Sequence, residues 1–557
     1  MRIDHVWLED FRNLVNFEAD FDETSNRQVV VGRNGVGKSN LLEALTRIFG
    51  DLDLEQPSSF GYKIEYFCNG YAVKVACLKP ATIPKEKQSE AIWTLEVMIA
   101  PASECGPQVP RDQRPYAKLK TGDFFRRNRA LTNGSNPERL LPLYVFGYYS
   151  GQVKRFAEIF EKHEERYYRE QIVGEEAPLR SLFQAKAHHS QFALLAFYAT
   201  HDEKAQKFLE RECRITGFSS ALFALREPYW KQSHGARKNS DSRFWFAGGK
   251  VAPFLDTLFE NSLAPMAGRE RMKISIGQEK TKERRYCFIK DQPALQRLAG
   301  DLSNKEFFGR LESLVFSDLV ASDGSDVRVW VKLKNCRKPA TFEDLAEGER
   351  QLLTVLGLMR FTARKEALFL LDEPDTHLNP AWCLDYLDNI RLYGAEPENS
   401  QIIMTTHSPL TFAGLEKNEV VILERDADGR VFAEHPNSAP KGMGFGAILT
   451  SDYFGMRSTL DRKTLAKIDE KRELAIKKKK SEREFERMAA LNDELGRLDF
   501  SQAARDPLYL EFIHAMTRAQ QKDPAIKAPA PNKATWRKRQ EIAADIAKRL
   551  LGAKPPA

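Results

Sequence analysis

A glycine-rich turn, Gly32-Arg33-Asn34-Gly35-Val36-Gly37-Lys38-Ser39, lies between an apolar run, Gln28 to Val31, and a helical pattern running from Asn40 to Ile48. This order of strand, loop and helix constrains the fold more than any other feature. A buried strand that feeds a helix through so short a turn belongs to a parallel sheet with helical crossovers. The spacing G-x-x-x-x-G-K-[ST] has a physical reason: glycines let backbone N–H groups turn toward a phosphate, and the helix start adds the positive end of its dipole. Lys38 supplies a cation for the outer phosphates, and the Ser39 hydroxyl is placed for Mg²⁺. The candidate nucleotide contacts are Gly32, Arg33, Asn34, Gly35, Val36, Gly37, Lys38, Ser39 and Asn40.

The rest of such a site must come from elsewhere in the chain, and its next strong element is far away. Leu345-Ala346-Glu347-Gly348-Glu349-Arg350-Gln351 leads into the apolar helix that begins Leu352-Leu353, and Gly348 stands 310 residues after Lys38. A glycine beside a helix N-terminus offers N–H groups to an anion. The strand Ala367 to Leu371 then delivers Asp372-Glu373-Pro374 at its carboxyl end. Two carboxylates there are costly unless a cation or a reacting water uses them, so Asp372 is the candidate Mg²⁺ support and Glu373 the candidate base. Asp375-Thr376-His377-Leu378-Asn379-Pro380 follows as a turn into a helix, and Thr406-His407-Ser408-Pro409 closes the next strand. His407 comes 35 residues after Asp372, the length of a βαβ crossover, and is the candidate γ-phosphate contact. Gln152, just beyond the strand Leu143 to Tyr149, is the candidate sensor of Mg²⁺ and the γ-phosphate.

These residues resemble the ABC-type ATPases of the Rad50, SMC and RecF kind, and among them the compact bacterial defence ATPases such as OLD-family heads and the Septu protein PtuA. The resemblance covers about residues 1 to 155 and 325 to 450. Gly32 to Ser39 are similar to Walker A, Leu345 to Gln351 to the signature motif, Ala367 to Glu373 to Walker B, Asp375 to Pro380 to the D-loop and His407 to the switch histidine. The resemblance implies ATP and Mg²⁺ as cofactors, and a homodimer or higher assembly in which Leu345, Ala346, Glu347, Gly348 and Glu349 of one copy face the phosphate loop of the other. Asp375 and Asn379 would lie where two heads meet. Ala346 departs from the serine usual in the signature, which removes a hydroxyl from that contact.

The expected fold is α/β: an ATPase head with a β-rich N-terminal lobe over 1–155, an inserted helical arm over 156–325, a second lobe with signature, Walker B and His407 over 326–455, and a charged helical tail over 456–557. Within the arm, a hairpin is expected from Met272 to Ile276 and Arg285 to Ile289, and a helix from Pro293 to Val320. Apolar spacing between 156 and 320 never sustains heptads and is interrupted by prolines, which argues against a long coiled coil. A charged helix is expected over Asp461 to Leu498, and another over Trp536 to Leu551.

Composition bounds the function classes. Basic residues number 85 against 78 acidic ones, and the net charge of +7 is too mild to establish nucleic-acid binding. Locally, Arg111 to Arg139 mixes cations with aromatics, making Lys118, Lys120, Arg126, Arg127 and Arg129 candidate nucleic-acid contacts, with a solvated basic loop as the plainer reading. Seven scattered cysteines without a C-x-x-C pair suggest reduced thiols rather than a disulfide frame or zinc site. No signal-peptide or membrane-span pattern occurs, so the expectation is a cytoplasmic protein with no membrane partner. Asp426-Ala427-Asp428-Gly429 reads as a hairpin turn rather than a nuclease metal site. The expected role is an ATPase of a bacterial anti-phage or restriction-associated system that regulates a partner nuclease or effector. The alternatives are a RecF-like ATPase binding DNA or RNA without an effector, and an ATP-dependent switch with negligible turnover.

Overall fold

The computed structural model describes residues 1–78, 94–129, 138–151, 154–173, 181–186, 188–200, 202–228, 241–248, 251–275, 278–362, 366–394, 400–477, 479–496, 507–527 and 533–552. The described chain divides into two compact units, one made of Met1–Val30 and Ser39–Thr411, the other of Val31–Lys38 and Phe412–Ala557.

The first unit contains a parallel sheet in which Arg27–Val30 pairs with Ile402–Thr405, Gln401–Thr405 with Leu368–Asp372, Ala367–Asp372 with Tyr144–Tyr149, and Val145–Gly147 with Leu182–Gln184. Every residue of Ala367–Asp372 and Gln401–Thr405 is buried, as expected of central strands covered on both faces. An antiparallel sheet joins Arg2–Phe11, Leu14–Asp20, Tyr62–Cys68, Tyr71–Leu78, Thr94–Pro101 and Ala117–Leu119. Its strand Tyr62–Cys68 was not anticipated, yet the turn that follows was legible: Asn69 and Gly70 both take positive φ, 47° and 79°, as a two-residue hairpin requires.

The segment expected as a helical arm carries the helices Lys154–Val173, His188–Ala199, Glu203–Glu212 and Val251–Glu260, together with more sheet than expected. The hairpin is longer than foreseen, Met266–Ser275 against Gln278–Ile289, and joins Ile215–Arg226, Val327–Leu333 and Ala340–Thr341 in a five-stranded antiparallel sheet. Ile215–Arg226 alternates buried and half-buried positions only through register shifts opposite Val327–Leu333, which blurs its period in the sequence. The helix expected over Pro293 to Val320 is two helices, Gln292–Ala299 and Asn304–Phe316. Gly300 at φ 54° ends the first, and Ser303 with Glu306 forms a capping box that starts the second.

In the second unit, Val420–Arg425 and Val431–Glu434 form an antiparallel hairpin. Asp426 Oδ1 accepts from the N–H groups of Asp428 and Arg430, so the D-x-D is turn chemistry. The charged helix expected over Asp461 to Leu498 is broken into Arg462–Ala475 and Glu482–Gly496. The break falls at the lysine run, where like charges oppose a continuous helix and Ser481 with Glu484 caps a new one. Arg487–Glu470 and Lys467–Glu494 pairs join the two helices. Lys533–Gly552 is the anticipated terminal helix. Among the described residues no helix is long and apolar enough to cross a membrane.

Candidate nucleotide-binding site

Register places four strand ends in one row. Val30 is opposite Thr405, Thr405 opposite Asp372, and Asp372 opposite Tyr149, all near the carboxyl ends of parallel strands, where open α/β sheets bind ligands. The glycine-rich loop follows the end of the strand Arg27–Gly32 and runs into the helix Lys38–Asp53. Asp372 is buried, and its Oδ1 accepts a short hydrogen bond from the Thr405 hydroxyl. Glu373 then leaves the strand in the left-handed region, at φ 49°, a conformation that costs a non-glycine residue about 1–2 kcal/mol. Its N–H offsets this by donating to the Thr405 carbonyl and hydroxyl, each at 3.1 Å. The turn leaves the Glu373 carboxylate partly exposed, 2.7 Å from His407 Nε2. Walker B carboxylate and strand-end histidine, expected separately from sequence, therefore touch.

Asp375, expected where two heads meet, already has partners within its own chain. It is buried, and its Oδ2 accepts from the hydroxyls of Thr406 and Thr411 within its own chain. Burial raises its carboxyl pKa despite those two hydroxyls. Asn379 is also occupied locally, capping the helix Pro380–Asn389 by accepting from Trp382 N. The signature helix Glu347–Thr362 packs directly against this turn: Gln351 Nε2 donates to the Pro374 carbonyl at 2.6 Å, and a Cβ on Gly348 would stand 2.7 Å from the His377 carbonyl. Gly348 is thus required for close approach within the chain. Leu345 is buried, while Ala346 and Glu347 are exposed, and the Glu349 carboxylate caps the helix by accepting from Ala346 N.

The phosphate loop is held inside the second unit. Gly32 has φ 148°, and a Cβ there would come within 2.4 Å of the Leu423 carbonyl. Lys38 Nζ donates to the Gly32 carbonyl at 3.0 Å, and Val36 N to the Arg33 carbonyl at 3.2 Å. Arg425, at the end of its strand, donates to the Gly35 carbonyl at 2.8 Å. Gly35 and Gly37 have φ 76° and 121°, and nothing lies within 4 Å of a Cβ built on Gly35, so this side of the loop is an open cradle. The donor set suits a magnesium nucleotide. One serine hydroxyl and one carboxylate are few protein ligands, as expected when phosphates and water complete the shell. Among the described residues no group of three or more His, Cys, Asp or Glu could hold a metal alone.

Asn40 donates to Asn13 Oδ1 from the first turn of Lys38–Asp53. Gln152 lies outside the described residues. In the basic run, Lys118 pairs with Glu96, Arg126 with Asp123 and Arg129 with Glu55, while Lys120 is exposed and Arg127 half-buried. Arg111 and Arg114 converge on Asp4, and Arg139 on Asp53. Most of that charge is already neutralised within the chain. The residues that sequence reasoning missed are the hydroxyls Thr405, Thr406 and Thr411, and Arg425. The available signal was the threonine pair closing an otherwise apolar strand just before His407.

Two family models match the chain: one described as an AAA ATPase domain over residues 1–93, and one whose description begins "AAA domain" and names the AbiEii toxin and Type IV TA system over residues 254–413. Between them they contain the phosphate loop, the signature helix, the carboxylate strand and His407. The Septu protein PtuA of Bacillus mycoides (strain KBAB4) is 30% identical over 169 residues, 28% of this chain and 23% of that protein. The match therefore spans less than a quarter of that relative's length. Among solved structures, the SmcHead bound to the C-winged helix domain of ScpA aligns at TM-score 0.29 and 12% identity, covering 78% of this chain and 97% of that one.

Proposed function

We propose that this chain, whose two AAA ATPase segments carry complementary halves of a nucleotide site, binds and hydrolyses ATP with Mg²⁺ and acts as a paired head. Its output is control of a partner effector, in the first instance a nuclease, in bacterial defence. The observation that carries the ATPase reading is the strand-end row that sets Val30, Thr405 and Asp372 side by side, with Glu373 against His407 just beyond it. Lys38 and the loop N–H groups bind the phosphates, while Ser39 and Asp372 hold the ion. Mg²⁺, when bound, neutralises charge on the phosphate oxygens. Glu373 receives a proton from the attacking water, and His407 orients the Glu373 carboxylate. Exposed Ala346 and Glu347 at the start of the signature helix support a second copy contributing across the interface. Similarity to a Septu protein supports the defence role.

Glu373→Gln tests the assignment directly. Turnover is expected to fall by about 10²- to 10⁴-fold, the usual contribution of a general base, with ATP still bound and a dimer accumulating in light scattering. Unchanged turnover would overturn the role of Glu373. For the defence reading, a host carrying the chain with its native neighbours should lose phage resistance on Lys38→Ala. Resistance that survives this substitution would separate ATP binding from defence.

A further inference from the structure

One face of the five-stranded antiparallel sheet carries features that the ATP site does not use. The inner face, with Ala221, Phe223, Cys287, Ile289 and Val329, is buried and meets the helices His188–Ala199 and Gln292–Ala299. Positions alternating with these point the other way and are only half-buried: Leu222, Tyr286, Phe288 and Trp330, with Arg328 and Lys332 exposed beside them. Register sets them in adjoining rows. Phe288 is opposite Leu222 and Leu222 opposite Arg328, while Trp330 is opposite Ser220 and Tyr286 lies between Ala224 and Met266. Tyr286 and Phe288 are two residues apart on one strand, about 7 Å, and Trp330 lies two strands across and two residues along from Phe288, about 12 Å. The Tyr286 ring extends over the neighbouring strand, 3.0 Å from where a Gly268 Cβ would be. Tyr286, Phe288 and Trp330 are each partly accessible on one sheet face, and an accessible apolar cluster of this kind marks an interaction surface.

The electrostatics favour an anion. Arg328 and Lys332 make no ion pair among the described residues, unlike the cations of the Arg111 to Arg139 run. Two carboxylates of this sheet, Glu270 and Asp326, are both taken by the buried Arg284, at 2.9 and 2.7 Å. Aromatic rings that present their faces to bases, bordered by unpaired cations that meet a phosphate backbone, are the combination that binds single strands without strong sequence preference. A duplex, whose base faces are already stacked, can use only the cations.

We infer that this partly accessible sheet face binds single-stranded nucleic acid, with Tyr286, Phe288 and Trp330 stacking on bases and Arg328 and Lys332 contacting phosphates. The test is fluorescence anisotropy with the full chain and a labelled homopyrimidine oligonucleotide, run without ATP so that its outcome is independent of the nucleotide-site reading. Wild type is expected to bind the single strand more tightly than a duplex of equal length. Trp330→Ala should weaken binding about tenfold, in the range for loss of one stacked base, and Trp330→Phe should largely restore it. Arg328→Ala with Lys332→Ala should reduce the slope of log affinity against log salt by about one to two. Circular dichroism of each variant controls for folding, and the exposed-charge double variant provides the readout if Trp330→Ala fails to fold. Equal affinity for duplex and single strand, or unchanged affinity in the folded variants, would overturn the inference. A loss of self-association in light scattering with oligonucleotide affinity intact would also overturn it and assign the face to a second copy of the chain.

Discussion

Thr405→Val probes whether the strand-end row is a working site or a packing accident. The substitution keeps shape but removes a buried hydroxyl that donates to Asp372 and accepts from Glu373 N. Glu373 N retains the Thr405 carbonyl at 3.1 Å, so the backbone turn survives, and the principal loss is the bond to a buried carboxylate. Hydrogen bonds to charged groups contribute about 1.5–3 kcal/mol, so the variant should lose about that much stability and a few degrees in melting temperature. A second effect follows from function. Without the hydroxyl, Asp372 is no longer fixed in the orientation that supports the ion, and about 1.4 kcal/mol of misplacement is a tenfold effect. ATP affinity, followed with a fluorescent analogue, should therefore fall about tenfold with Mg²⁺ present and hardly change in excess chelator. Thr405→Ser, which restores the hydroxyl, should recover most of both losses. Equal destabilisation with unaltered Mg²⁺ dependence would refute the positioning role, and no effect on either would refute the hydrogen bond itself.

Two further outcomes use sign as well as size. Replacing a helical glycine by alanine ordinarily stabilises by up to about 1 kcal/mol, but Gly348→Ala should destabilise by about 1–3 kcal/mol and lower turnover, because its Cβ would meet the His377 carbonyl at 2.7 Å. Denaturant midpoints and steady-state hydrolysis decide between these signs. Burial raises the Asp51 carboxyl pKa from 3.8 to about 6, with Lys162 and Arg47 opposing. The folded chain then holds an extra proton between those values, so Asp51 lowers stability as pH rises from about 4 to 6, and the whole cost is present above that window. Asp51→Asn should stabilise by about 1–2 kcal/mol at pH 8 after discounting for its partial exposure, and by little at pH 4. A pH-independent difference between variant and wild type would exclude that carboxyl as the cause.

What could be read from the chain alone was whatever adjacent residues encode. The phosphate loop, the carboxylates ending an apolar strand and the histidine ending the next are each determined by a few neighbours and by strand and helix periods. So were Asn69-Gly70 and the Ser303/Glu306 cap, although only the second of these corrects an expected helix. The bends in both overlong helices were written in local chemistry, glycine and capping in one case and a lysine run in the other. Pairings across hundreds of residues had no such local signature. That Thr405 serves Asp372, that Asp375 turns inward to Thr406 and Thr411, and that Gly348 fits beneath His377 depend on which strands and helices become neighbours. The same holds for the inserted sheet: its strands are short-range patterns blurred by register shifts, and its half-buried aromatic face exists only once Ile215–Arg226, Gln278–Ile289 and Val327–Leu333 lie side by side. Local sequence determined the chemistry available to this protein, while long-range packing decided which groups face one another, because burial and hydrogen bonding are properties of neighbours in space.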